Sequence, residues 1–181
     1  PNGLEPDPVV AAVGGDGAHL YSGAPIQFHV SENPVVPVRR PEHKIFKLVM
    51  FGKRNPSLDP AAFQARWSGG YGAFSLNAPG LLGHLANFPT SLDVVTGFFS
   101  EASGAFLPQA RAARAAFLGL FDGIAEYWFA SPEACAAWRQ RCDSGLRALE
   151  QELFQSFFCR EVDETVAVLP DRLPPPPYYH R

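Results

Sequence analysis

The ten residues Phe121-Asp122-Gly123-Ile124-Ala125-Glu126-Tyr127-Trp128-Phe129-Ala130, followed at once by Ser131-Pro132-Glu133, constrain this chain more than any other stretch. Aromatic and β-branched residues dominate the run. It closes on an N-cap serine, a proline suited to the first helical position and an acidic first turn, so it predicts a strand feeding a helix. Period two places Asp122, Ile124, Glu126 and Trp128 on one strand face, and Gly123, Ala125, Tyr127 and Phe129 on the other. Large side chains on both faces predict cover on both sides, which puts the strand in the middle of a sheet. The two carboxylates on one half-buried face need donors, from the protein or from a ligand.

A chain of 181 residues suits one domain with extensions. Charged residues make up only 18%, below the roughly 25% of ordinary domains, so much of the surface is expected to be Gly, Pro or Ala, or to be covered by a partner. A net charge of −3 argues against a sequence-independent nucleic-acid footprint, which needs clustered Lys and Arg. No apolar run is long enough to span a bilayer, and the first residues lack the order of a signal peptide. The three cysteines, Cys135, Cys142 and Cys159, have no metal-ligand spacing. Read as buried thiols of a reducing compartment, they predict a soluble, cytoplasmic protein with no bound metal.

Residues 1–43 read as an N-terminal arm, with short extended pieces around Ile26–Val30 and Val35–Val38 whose prolines confine them to a sheet edge or to another surface. Ile45–Phe51 predicts a strand. Asp59-Pro60 opens a helix that places Phe63 and Trp67 one turn apart, and Ser68-Gly69-Gly70 ends or kinks it. Leu81–Phe88 is a second strand, closed by Pro89, and an insertion over residues 90–120 contains a helix from Pro108 to Phe117. After the central strand, Cys135, Trp138, Cys142, Leu146, Leu149 and Leu153 form one apolar stripe, which predicts a single long helix from Pro132 to Phe154. Phe157–Cys159 and Thr165–Val168 predict a last strand, and residues 170–181 a polyproline-like tail that is solvated or lies on a partner. The order strand, helix, strand, strand, helix, strand is the split βαβ, ferredoxin-like pattern of an α+β fold with an antiparallel sheet, one face of which is left bare for a second copy.

The blocks Lys47-Leu48-Val49-Met50-Phe51, Lys53-Arg54-Asn55-Pro56, Phe63-Gln64-Ala65-Arg66-Trp67, Pro79-Gly80-Leu81 and Asp122–Phe129 resemble, in this order, the EthD-like domain family over residues 44 to 169. The resemblance implies a homodimeric α+β barrel with a pocket for a small hydrophobic or aromatic, polyketide-like molecule between sheet and helices. The expected activity, motivated by that pocket, is cofactor-independent acid/base chemistry: decarboxylation, cyclisation, dehydration or isomerisation. The family pattern has a histidine before the first-helix tryptophan and another after a tyrosine. This sequence has Arg66 and Gly72 there, so a non-catalytic ligand carrier or partner subunit is the alternative and a haem protein the third.

His84 is the candidate proton-transfer group, since an imidazole titrates near neutral pH; the competing reading is a hydrogen-bonded core histidine. Tyr71 and Tyr127 are candidate donors to a carbonyl or phenolate oxygen, and Glu126 a candidate orienting carboxylate that otherwise pairs with an arginine such as Arg66. Trp67, Phe51, Phe63, Phe74 and Trp128, with Asn87, are candidate walls for a flat ligand, although aromatic residues at these spacings also serve as plain core. Period two puts Asn87 on the strand face opposite His84. No glycine-rich dinucleotide fingerprint and no nucleophile elbow occur, so no cofactor is expected.

Overall fold

The computed structural model describes residues 26, 28–39, 45–92, 106–140, 144–166 and 178–179. Most of the N-terminal arm, Cys142, residues 93–105 of the insertion and Pro174–Pro177 lie outside them. In chain order the elements are β1 (Phe28–Val36), β2 (Phe46–Arg54), α1 (Pro60–Arg66) continued by a π-helical turn (Trp67–Tyr71), β3 (Leu81–Leu92), α2 (Pro108–Leu118), β4 (Gly123–Phe129), α3 (Pro132–Gln140), α4 (Ser144–Leu153), β5 (Phe154–Val162), β6 (Thr165–Val166) and β7 (Tyr178–Tyr179). The described residues divide between two compact units. One draws on Pro1–Ser31 and Pro89–Leu120, and the other on Glu32–Phe88 and Phe121–Arg181.

The fold is α+β, with a five-stranded antiparallel sheet in the order β1-β3-β4-β2-β5 and four helices among the described residues. The strand order β3-β4-β2-β5 is the ferredoxin-like arrangement that the order of elements predicts, with β1 added at the outer edge. β4 is central, paired with β2 from Phe46↔Phe129 to Gly52↔Gly123 and with β3 from Leu81↔Phe129 to Asn87↔Ile124. The local signals at the element ends are those read in the sequence. Asp59 accepts the N–H of Ala62 at 2.8 Å and Ser131 that of Ala134 at 3.2 Å, each ahead of a proline at the first helical position. Ala78-Pro79-Gly80-Leu81 closes a turn through Leu81 N–H to Ala78 O at 3.2 Å, and Gly80 takes the positive φ of 75° that a side chain resists.

Period two then separates the sheet faces. Leu48, Met50 and Gly52 of β2, His84, Ala86 and Phe88 of β3, and Ala125, Tyr127 and Phe129 of β4 face the helices. Over them lie Phe63, Trp67 and Tyr71 from α1 and its wide turn, Cys135 and Trp138 from α3, and Leu146 and Leu153 from α4. Trp67 is fully buried, with the rings of Phe63, Phe88, Phe154 and Tyr71 edge-on to it at centroid distances of 4.7 to 6.4 Å. Its indole rests on the paired glycines Gly52 and Gly123. The opposite face carries Lys47, Val49, Phe51, Ile124, Glu126 and Phe158, all half-buried.

Four expectations need correction. The helix from Pro132 to Phe154 is two helices, α3 and α4. The stripe is shared between them, Cys135 and Trp138 on α3 and Leu146, Leu149 and Leu153 on α4, and residues 141–143 between the two lie outside the described residues. Pro89 does not close β3, which continues to Leu92. β4 starts at Gly123, so beyond Phe88 the missing N–H of a proline removes no bond to β4. The last strand of the sheet is β5 from Phe154, whereas Thr165–Val166 pairs instead with Tyr178–Tyr179 of the tail. Glu126 pairs with Lys47, its diagonal neighbour on the same face of β2, and Arg66 with Glu152.

A Cβ at Gly123 would stand 2.6 Å from the Trp67 ring and 3.2 Å from that of Phe88. Gly123→Ala is therefore expected to cost about 1 to 3 kcal/mol in urea unfolding. Gly69→Ala, where a Cβ meets nothing within 4 Å, is expected to be neutral or to stabilise by up to about 1 kcal/mol.

Candidate functional site

In the larger unit a cavity of about 170 Å³ lies between the helix-facing side of β2, β4 and β5 and the helices α3 and α4. Its interior is buried side chains: Leu48, Met50, Tyr71, Tyr127, Trp138 and Leu146. Its rim carries the exposed Arg139, Arg147 and Phe157, with the half-buried Glu150 and Cys159. Each position follows from its element. Leu48 and Met50 alternate on β2, Phe157 and Cys159 alternate on β5 opposite Gly52 and Met50, and Leu146, Arg147 and Glu150 fall on neighbouring rows of α4.

Tyr71 reaches the cavity from the last residue of the π-helical turn, a wide turn of the kind often found at functional sites. Its hydroxyl donates to Glu150 Oε1 at 3.3 Å and lies 3.7 Å from Met50 Sδ. Burial, then the neighbouring Tyr127 and Glu150, holds the Tyr71 phenol far above its ordinary pKa. Tyr71 is thus a donor that keeps its proton. Burial likewise raises the thiols of Cys159 and Cys135, so neither is an activated nucleophile.

His84 is fully buried and stands behind the cavity, where its ring stacks on that of Tyr127 with centroids 4.2 Å apart. Ser75 Oγ donates to Gly72 O at 2.6 Å and has no second hydrogen, so at 2.7 Å it accepts from His84 Nδ1. This assigns the proton to Nδ1. Nε2 is left as a buried acceptor with no partner among the described residues. Burial lowers the imidazole pKa to about 3, so His84 is neutral at ordinary pH.

Glu126 lies on the opposite sheet face, within a polar network. Lys47 Nζ contacts Glu126 Oε2 at 2.7 Å and Glu164 Oε1 at 3.1 Å, and sits 4.4 Å over the Trp128 ring. Trp128 Nε1 donates to Glu164 Oε2 at 3.0 Å, and Asn87 Nδ2 to Glu126 Oε1 at 2.8 Å. Phe51, on the same face, stacks on Phe158 at 4.9 Å.

Of the residues read from the sequence, the cavity brings together Tyr71 and Tyr127. His84 is one layer behind. Glu126, Asn87, Phe51 and Trp128 share the other face, Trp67 and Phe63 fill the core, and Phe74 is 39% exposed on the turn after the π-helical segment. Glu150, Arg139 and Arg147 are the polar residues that the sequence reading missed. Their signal was present: Arg147 and Glu150 stand one and four residues after Leu146 of the apolar stripe, and Arg139 follows Trp138.

No protein-family model matches the chain, and no curated protein is significantly similar to it in sequence. No helix among the described residues is long and apolar enough to cross a membrane.

The geometry of His84 predicts a pH dependence of folding. Its folded pKa lies below the ordinary value of 6.5, so the unfolded chain takes up the proton first and stability falls as pH drops from about 6.5 towards 3. Between pH 6 and 4 the wild type is expected to lose about 1.4 kcal/mol per pH unit more than His84→Leu in urea titrations. Equal slopes would show that His84 is not held neutral by burial.

Proposed function

We propose that the chain binds a small hydrophobic, aromatic molecule in the cavity under α3 and α4 and acts on it without a cofactor by acid/base chemistry, as in isomerisation, dehydration, cyclisation or decarboxylation. The observation that carries this reading is the Tyr71 to Glu150 contact at 3.3 Å in a cavity also lined by Tyr127. Two phenols beside one carboxylate supply what a proton transfer next to a carbonyl needs. Tyr71 and Tyr127 donate to the oxygen on which charge develops, and Glu150 takes the proton from carbon. The proton-transfer role that the sequence pointed to at His84 passes to Glu150, the carboxylate that lines the cavity. His84 becomes a positioning residue that backs the Tyr127 ring.

The reading extends to the EthD-like family and its homodimeric barrel. Supporting it are the strand order and the half-exposed Val49, Phe51, Ile124 and Phe158 on the sheet face away from the helices. In this assembly the purified protein sediments at twice its 19.7 kDa, and Phe158→Asp shifts it towards the monomer. A wild type that stays at 19.7 kDa across concentrations overturns the barrel.

A carrier is the second reading, favoured by one observation: His84, the strongest proton-transfer candidate in the sequence, does not line the cavity. Phenylacetone in D₂O separates the two. An enzyme speeds hydrogen–deuterium exchange at the benzylic carbon, and Glu150→Gln or Tyr71→Phe lowers the rate by about 10² or more. A wild type with no exchange above buffer leaves the carrier.

A further inference from the structure

Deepening the proposed small-molecule site, and resting on it, we infer that its ligand is a single-ring aromatic acid. Its carboxylate sits at Arg139 and Arg147, and an oxygen at the other end of the ring meets Tyr71 and Tyr127. Volume sets the ring count. The cavity measures about 170 Å³, and a cavity of about 150 Å³ is known to hold benzene, so one six-membered ring fits and a fused polycycle does not. The ring would lie among Met50, Trp138 and Leu146, an apolar set with a thioether and an indole to contact its face and edge.

Charge sets the substituent. Arg139 and Arg147 come from different helices to the same cavity and are exposed at its rim, and neither makes an ion pair among the described residues. The one carboxylate among the lining residues, Glu150, already accepts from Tyr71. Two guanidinium groups against one carboxylate leave the rim positive, and guanidinium is the side chain best shaped for a carboxylate. The phenols lie at the buried end instead, where Tyr71 keeps its proton and offers it to an uncharged or partly charged oxygen.

This polarity also narrows the chemistry. A carboxylate held at a solvent-facing rim by two cations is an anchor, stabilised in the ground state, and is not the group that reacts. Loss of CO₂ would require that carboxylate to leave its cationic partners. Proton transfer within reach of Glu150, which stands between Arg147 of its own helix and the Tyr71 hydroxyl, is the step that the arrangement favours.

Met50 is the sole methionine of the sequence and lines the cavity, so a ¹³C-methyl methionine label reports from inside it. The probes are 4-hydroxybenzoate, its neutral isostere 4-hydroxybenzamide, and 6-hydroxy-2-naphthoate. The expected result is a saturable shift of the Met50 methyl signal with 4-hydroxybenzoate, at an affinity about fivefold or more above that of the amide. The preference should shrink as salt is added and vanish in the exposed double variant Arg139→Gln/Arg147→Gln, and the naphthoate should not shift the signal. Equal binding of acid and amide, or a preference that survives the double variant, overturns the charge assignment while leaving the cavity a binding site. Tighter binding of the naphthoate overturns the single-ring assignment. A Met50 signal that none of the three moves overturns this inference together with the binding site beneath it.

Discussion

The interaction on which this structure depends is the seating of Trp67 on a pair of glycines. Gly52 and Gly123 are cross-strand partners in β2 and β4, and a Cβ on either would fall 2.6 Å from the Trp67 indole. Two adjacent strands leave a flat backbone patch the size of one ring, and the first side chain of the π-helical turn fills it. Around that contact Phe63, Phe88, Phe154 and Tyr71 stand edge-on, an arrangement that suits aromatic quadrupoles as well as apolar burial. The tightness is local. Towards β5, where Leu48, Met50 and Cys159 face α3 and α4, the layers stay apart and leave the cavity. One end of the molecule's core is filled by aromatics meeting on bare backbone, and the other is held open by the size of the tryptophan and tyrosine rings at its border.

The same contact fixes where Tyr71 goes. Trp67 and Tyr71 begin and end the π-helical turn, four residues apart, and both are buried on the sheet side. Four residues in an α-helix overshoot a full turn, whereas the wider π turn makes slightly less than one. Its exposed Gly69 and Gly70 meet no neighbour that could resist the wider backbone. With Trp67 locked on the glycine pair, the turn delivers the Tyr71 hydroxyl to Glu150 and Met50.

The layout of strands was legible because each rested on a local rule: alternation in β2 and β4, Asp59-Pro60 and Ser131-Pro132 as helix starts, and Pro79-Gly80 as a turn. The ferredoxin-like order followed from the sequence of those elements, and period two already put Glu126 and Tyr127 on opposite faces. What stayed hidden was depth. Tyr71, Tyr127, Phe63 and Trp67 look alike as aromatic residues on one face, yet two line a cavity and two plug the core. That difference is set by which strand residue sits opposite each ring: glycine under Trp67, but Leu48 and Met50 in the cavity wall. His84 was unreadable for a related reason. Its environment is set by Ser75, nine residues away across a turn, and by stacking on the next strand, and neither leaves a periodic trace. The two helices α3 and α4 read as one because the apolar stripe keeps its spacing from the first to the second.

The two faces of the sheet also answer their charges differently, and this decides where chemistry belongs. On the face away from the helices, Glu126 and Glu164 share Lys47, and Asn87 and Trp128 fill further positions on the two carboxylates. A carboxylate so engaged is expensive to detach, because removing one member strands the others in a half-buried site. Such a network suits holding a face together. On the helix side Glu150 has a single phenol donor at 3.3 Å, longer than a typical hydroxyl-to-carboxylate bond, and stands beside guanidinium groups with no carboxylate of their own among the described residues. It can exchange that donor for a substrate at little cost. Between the Lys47 network and the cavity, the loosely engaged carboxylate is Glu150, which is therefore the one equipped to move a proton on a bound ligand.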